Sequence, residues 1–469
     1  MLMGIGAAAR GGAAHDDGGE TMRELLNDAA ERALRYLETQ PERHVAPLPE
    51  AVERLADLDI ALPEGPCDPS ETIATLDSHS DAAMAMGSPR FFGWVVGGAL
   101  PVTIAANWLA TAWDQNVGMV AMTPVASRLE EIAGRWLLDA LALPAGTGVG
   151  FVTGATTANF TSLLAARHAV LQRVGWDVEA DGLFGAPPIT VIVGEEVHPS
   201  AMKALGMAGF GRSRVVRVPV DDQGRMRADA FPEISGPTIA LMQAGNVNTG
   251  AFDPFAEIIP RAKEAGAWVH IDGAFGLWAA ATPEYAPLLR GADLADSWAT
   301  DAHKFLNTPY DCGLAFVREA ETMRASLAVS AAYLPSAAHH DPLDYTPEMS
   351  RRARGVEVWA ALRTLGRSGV AALVEQACHC ARRFADSMRA EGYPPLHDVV
   401  FNQALFSFGD EATTRKIIAA IQQDGTLWCG PTVWQGKAAM RFSVSNWATT
   451  EADIDRSVEA VARIARANR

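Results

Sequence analysis

The chain has 469 residues, 49% of them apolar, enough for more than one domain and for a large buried core, which excludes a disordered or fibrous protein. Lys and Arg total 39 against 56 acidic residues, a formal charge of -17, and no basic run offers a surface to nucleic acid or anionic lipid, so neither is expected as a partner. Five scattered cysteines, Cys67, Cys312, Cys378, Cys380 and Cys429, fit a reducing, cytoplasmic compartment better than a disulfide framework, and no stretch approaches the ~20 apolar residues of a membrane span.

Residues 1–20 are rich in Gly and Ala and read as a floppy tail. From Thr21 to Thr39, Met22, Leu25, Leu26, Ala29, Ala33 and Leu37 recur at helical spacing and predict an amphipathic helix. A Pro-punctuated stretch ends it, and a second helical pattern runs from Pro49 to Leu58. Residues 21–86 are therefore expected to form an N-terminal helical segment.

Residues 87–350 alternate short β-branched runs with helical stretches. The expected strands are Gly148–Val152, Ile189–Val193, Val215–Val218, Thr238–Met242, Trp268–Ile271, Ser297–Thr300 and Leu314–Val317. Continuous apolar runs separated by helices imply an α/β fold, with a mostly parallel sheet covered on both faces. Ligands of such sheets bind beyond the carboxyl ends of the strands. Residues 326–350 lack apolar periodicity over a length unusual for a connection and are expected to be a mobile lid. Residues 351–469, helical at first and then including a strand-like Met440–Asn446, predict a smaller α+β domain. Within it, Cys378-His379-Cys380 is not a metal site, because residues two apart on a helix diverge by about 200°.

The chemistry-bearing residues follow the strands. Asp272 ends the strand Trp268–Ile271 beside Gly273 and Ala274, where a carboxylate is suited to keeping a pyridine nitrogen protonated and a small residue lets a flat ring lie close. The next strand runs into Asp301-Ala302-His303-Lys304. A lysine at a buried strand end is costly unless paired, deprotonated or used covalently. Alone it reads as a salt-bridged loop residue; with Asp272 on the preceding strand it reads as a Schiff-base lysine with its pyridinium partner. Thr153-Gly154-Ala155-Thr156 joins a strand to a helix and is suited to a phosphate, though a plain capping turn has the same composition. His198 follows another strand, either as a loop or capping histidine or as a flat ring for stacking. Asn246, in GNVNTG, follows a fourth, where turn chemistry is the alternative.

The set VTGATTAN, EEVHPSAM, GNVNTGAFDP, HIDGAFG and DAHKFLNTPYDCG, in this order, resembles the group II pyridoxal phosphate (PLP)-dependent amino-acid decarboxylases, a family that includes aromatic-amino-acid, glutamate and diaminobutyrate decarboxylases. The resemblance runs from about Thr21 to the C-terminus. It implies the fold type I architecture, a homodimer with its site at the subunit interface, and PLP carried on Lys304 with Asp272 at the pyridine nitrogen. It also implies that His198 and Ala274 flank the ring and that Gly154, Ala155, Thr156 and His303 lie at the phosphate. Tyr333 falls where the family's loop tyrosine protonates Cα after CO₂ leaves, so the expected reaction converts an L-amino acid to its amine. Retro-aldol cleavage and decarboxylating aldehyde synthesis are the alternatives on the same scaffold.

Asp301 and Ala302 depart from the Asn-Pro that aromatic-amino-acid decarboxylases commonly carry before His-Lys, which puts that subgroup's substrate in doubt. Phe91, Phe92 and Trp94 resemble the segment lining the family's substrate pocket and favour an aromatic or hydrophobic side chain, with core packing as the alternative. Arg441 stands where some distantly related transaminases hold a substrate carboxylate, but an arginine in a strand of a small domain reads first as a structural ion pair. Arg351, Arg352 and Arg354 read as interface or structural residues.

Overall fold

The computed structural model describes residues 17–328 and 341–468, in two units, residues 1–88 and 89–469. Tyr333 and most of the expected tail lie outside the described residues. In the first unit, helix α1 (Asp17–Thr39) begins four residues before the predicted start. The second predicted helix divides into α2 (Pro49–Glu53) and a 3-10 turn over Arg54–Leu58, and α3 (Pro69–Ser78) follows. Arg32 on α1 bonds Asp28 at 2.9 Å and Asp77 of α3 at 2.8 Å, which fastens the two helices.

The second unit opens with α4 (Pro101–Trp113) and α5 (Pro124–Ala140), each with a proline in its first turn, where the missing N–H costs nothing. The main sheet and its helices follow as β1 (Gly148–Val152), α6 (Ala155–Gln172), α7 (Val178–Asp181), β2 (Thr190–Gly194), α8 (Pro199–Met207), β3 (Val216–Val218), β4 (Thr238–Gln243), α9 (Phe255–Glu264), β5 (Trp268–Asp272), β6 (Ser297–Asp301), β7 (Gly313–Val317) and α10 (Ala320–Leu327). The long α11 (Arg354–Ala390), broken at Gly366 where φ is 60°, leads into β8 (Gln403–Phe406), α12 (Glu411–Asp424), β9 (Gly430–Trp434), β10 (Lys437–Ser443) and α13 (Glu451–Ala467).

All seven predicted strands of the main sheet are present, in the order β1-β7-β6-β5-β4-β2-β3. The sheet is parallel except for β7, which runs antiparallel between β1 and β6. Burial alternates with the pleat. Ile192, Ala240, Met242, Val269 and Ile271 enter one core, and Val191, Val193, Ile239, Leu241 and Trp268 enter another with α6 and α8. Burial on both faces is why these strands read as unbroken apolar runs. A three-stranded antiparallel sheet, β8-β10-β9, carries Arg441 on its central strand. This arrangement is the fold type I architecture expected from the sequence.

Candidate active site

The carboxyl ends of β4, β5 and β6 open into a cavity of about 450 Å³ whose lining includes Lys304, Asp272, His198 and Arg441. β6 ends at Asp301, and the turn after it carries Lys304 back toward that carboxylate, with Nζ 3.0 Å from Oδ2. The chain 93–98 lies directly against the lysine: a Cβ on Gly97 would stand 1.9 Å from the Lys304 carbonyl oxygen, so only glycine fits there.

Asp301 also accepts the Ala155 N–H at 2.6 Å, tying the first turn of α6 to the lysine turn. His303 lies 3.5 Å from the same carboxylate, accepts the Cys312 N–H at Nδ1 (3.1 Å) and stacks on Tyr310 at 4.2 Å. Burial lowers the His303 pKa and Asp301 opposes that shift.

Asp272, 5% exposed, accepts hydrogen bonds from Asn159 Nδ2 at 3.1 Å and from the Ala274 N–H at 3.2 Å. Burial pushes this carboxyl above its ordinary range, while Lys304 and the two donors pull it back. His198 caps α8: its Nδ1 accepts from the Ser200 N–H (3.2 Å) and faces the Ser200 hydroxyl (2.6 Å), which leaves the ring proton on Nε2. Burial first, then Lys304 and Arg441, depress its pKa to about 4, so the ring is neutral near pH 7.

Of the residues singled out in the sequence, Trp94, Gly154, Ala155, Thr156, His198, Asp272, Ala274, Asp301, His303 and Lys304 all line this one cavity. Four others stand back from it. Phe91 and Phe92 are buried, stacked on Trp428 and Phe442, so their segment contributes Trp94 and Val95 to the lining instead. Thr153 bonds the Thr157 hydroxyl at 2.8 Å. Asn246 folds its Oδ1 onto the N–H groups of Asn248 and Thr249, which is the turn chemistry of its motif.

Arg441 overturns its first reading. No ion pair engages it among the described residues, and its largely buried guanidinium, with pKa lowered to about 10 by burial, lines the cavity. Arg351, Arg352 and Arg354 instead pair with Glu130, Glu357 and Asp311. Sequence reasoning also missed Asn159 and His270 behind Asp272. The available signal was that His270 lies two residues before Asp272 on β5, hence on the same face.

A primary amine, a buried carboxylate and a small-residue turn at a helix N-terminus, gathered at the carboxyl edge of a parallel sheet, define a site for a phosphorylated, cationic heteroaromatic aldehyde. The donor set fits such a group, since the amine can be used covalently, the carboxylate suits a ring N–H, and the turn at Gly154 leaves room beside His303. The pyridoxal-dependent decarboxylase conserved domain matches residues 68–400. The chain belongs to that family and is a PLP-dependent enzyme of the amino-acid decarboxylase, or carboxy-lyase, class.

Among its relatives, tryptophan decarboxylase 1 of Oryza sativa subsp. japonica is 28% identical over 76% of this chain and 77% of its own length. L-2,4-Diaminobutyrate decarboxylase of Rhizobium meliloti is 27% identical, covering 82% and 79%. In fold, the chain is similar to Oryza sativa TDC in its crystal structure with PLP and tryptamine, with a TM-score of 0.88 at 22% identity, covering 97% of this chain and 99% of that one.

Proposed function

We propose that the enzyme holds PLP covalently on Lys304 and removes the α-carboxylate of an aromatic or hydrophobic L-amino acid as CO₂, releasing the amine. The observation that carries this reading is the meeting of Lys304 and Asp272 in one cavity from the ends of neighbouring parallel strands. PLP supplies, when bound, a ring that takes up the electron pair released as the Cα–carboxylate bond breaks.

In this reading Asp272 holds the ring nitrogen's proton by ion pairing. Gly154, Ala155, Thr156 and His303 receive the phosphate, and His198 and Ala274 flank the ring. Arg441, with no carboxylate partner among the described residues, is available to the substrate's α-carboxylate. Trp94, Val95, Val247 and Phe275 give the lining its apolar portion, which supports a hydrophobic side chain. Tyr333 is assigned proton delivery to Cα on its place in the family resemblance.

A homodimer is part of the proposal. It is supported by α4, which leaves Trp108, Leu109 and Trp113 at least 40% exposed on a helix without an acidic residue in its first turn or a basic one in its last. A cytoplasmic location is supported by five unpaired cysteines.

The test is Lys304→Ala. Loss of the bound cofactor's visible absorbance together with all CO₂ release from a panel of amino acids is expected, and retained turnover overturns the assignment. In the same assay, Tyr333→Phe is expected to divert product from amine toward aldehyde. Sedimentation analysis of the full chain reads the dimer.

A further inference from the structure

Behind Asp272 runs a buried chain of hydrogen bonds that the reaction as described does not use. Trp268, His270 and Asp272 alternate along β5 and share the face covered by α6. Trp268 Nε1–H donates to Ser297 Oγ at 2.9 Å. Ser297 Oγ lies 2.9 Å from His270 Nδ1, and His270 Nε2 lies 2.8 Å from Asn159 Oδ1. Asn159 Nδ2 then donates to Asp272 Oδ2 at 3.1 Å. His270, Ser297 and Asn159 are all fully buried, out of reach of bulk solvent.

With Asp272 ionised, as its place beside a cationic ring nitrogen requires, the direction of every bond follows. A carboxylate accepts only, so the Asn159 amide turns its NH₂ to Asp272 and its oxygen to His270. That oxygen requires a proton on His270 Nε2. Burial depresses the His270 pKa to about 3, so the ring is neutral and Nδ1 is an acceptor, which takes the Ser297 hydroxyl proton. The hydroxyl oxygen is left free to accept from the indole. Four donors therefore point one way, toward the carboxylate, and bonds aligned in this sense polarise one another.

We infer that His270 is a positioning residue which, through Asn159, orients Asp272 and keeps it ionised for a cationic ring nitrogen. The inference rests on the assignment of Asp272 to that nitrogen. Lys304 and Asp301 are the charged groups acting on Asp272, with His198 and Arg441 elsewhere in the cavity lining. Lys304 favours the carboxylate and Asp301 opposes it, so the neutral relay supplies a donor whose effect does not vary with pH near neutrality. It also remains in place when the lysine amine is used covalently and its positive charge is no longer free. His270, donating from Nε2 to the amide oxygen, reinforces from the far side the Asn159 orientation that the carboxylate selects.

The first measurement needs no substitution. Ring ¹⁵N shifts of histidine-labelled full-length holoenzyme are expected to show, in addition to His198, a histidine that is neutral and protonated on Nε2 from pH 8 down to pH 5, with its signal absent in His270→Gln. A cationic ring or the Nδ1–H tautomer at that position overturns the inference while leaving the PLP assignment intact.

The second measurement is PLP binding to the full chain stripped of cofactor, followed by absorbance from pH 5 to pH 9. His270→Phe removes the donor to Asn159, frees its amide to turn away from Asp272, and is expected to weaken PLP about tenfold, the scale of losing the Asn159 hydrogen bond to the charged carboxylate. It should also move the acid-side midpoint of binding to higher pH, because Asp272 then holds its proton more tightly. His270→Gln, which offers both an N–H donor and a carbonyl acceptor, is expected to restore most of both. A variant that only melts earlier, with affinity and midpoint unchanged, overturns the positioning role. If His270→Phe does not fold, Asn159→Ser decides on the same two readouts. Loss of PLP binding in Lys304→Ala with wild-type behaviour in all relay variants counts against the relay alone.

Discussion

Gly313, the first residue of β7, crosses Gly154 so closely that a Cβ on Gly313 would lie 2.4 Å from the Gly154 Cα. Gly154 opens α6 and carries the turn assigned to the phosphate, so β7 acts as a backstop that sets how far the turn can recede. Gly313→Ala should push the turn into the cavity and disturb the Asp301 to Ala155 bond. Overpacking of this kind costs about 1–3 kcal/mol where the surroundings cannot yield, and both neighbours here are backbone. The expected result is a PLP dissociation constant raised at least about tenfold, with a smaller fall in melting temperature. Unchanged affinity, read by absorbance titration, would mean that the turn is not held by this contact.

The pH dependence of stability has a readable sign at His198. Its folded pKa of about 4 lies below the ordinary histidine value, so the unfolded chain binds the proton more tightly. The stability it confers is complete above about pH 6.5 and is lost as pH falls through 4. Asp253 acts in the opposite sense. Burial raises its pKa to about 6, so its contribution is complete below about pH 4 and lost as pH rises through 6. The two overlap, and the difference between wild type and His198→Phe isolates the histidine. The variant's melting temperature is expected to fall less steeply between pH 6.5 and 4; parallel curves would remove His198 from the acid limb.

Beneath β1, Arg351 and Glu130 form a buried pair, with Nη1 to Oε1 at 3.0 Å, and the same Nη1 also donates to the Phe151 carbonyl at 3.0 Å. The guanidinium thus supports the strand that leads into the turn assigned to the phosphate. Burial still pushes the Glu130 carboxyl above its ordinary range, with Arg351 pulling the other way, so removing the arginine leaves a charge in an apolar place. Arg351→Met is expected to destabilise by about 3–5 kcal/mol in denaturant unfolding, and pairing it with Glu130→Leu should recover much of that loss. Full additivity of the two losses would show that the side chains do not act as a pair.

The main sheet was legible because burial on both faces leaves a plain record, the unbroken apolar run. Lys304 and Asp272 were legible together because each ends such a run. The aromatic segment was not, and the reason lies in its backbone. Trp94 and Val95 both take the left-handed conformation, φ 50° and 58°, which side chains avoid and a β-branched residue avoids most. That turn brings Trp94 and Val95 to the cavity lining, while Phe91, its ring still 5.9 Å from that of Trp94, stays buried on Trp428, and nothing in local composition announces it. His270 was missed for a different reason, since one polar residue inside a strand looks like any satisfied core histidine until its partners on α6 and β6 are seen.

Arg441 shows the same dependence on distant neighbours, and it carries the last prediction. A strand arginine becomes structural or functional according to whether a carboxylate meets it, and none of the described residues provides one. Its guanidinium lines the cavity with Lys304 and His198, and in the proposed function it is assigned to the substrate's α-carboxylate. A cation that held this carboxylate tightly through the reaction would resist its departure as CO₂, because the charge it stabilises disappears from that group in the transition state. The arginine's contribution should therefore fall on binding rather than on the chemical step. Arg441→Met is expected to raise KM by about tenfold or more while kcat changes only a few-fold, with PLP affinity near wild type. Steady-state kinetics beside a cofactor titration checks this. A large fall in kcat at unchanged KM would place Arg441 in the bond-breaking step instead, and a loss of PLP would make it a cofactor residue.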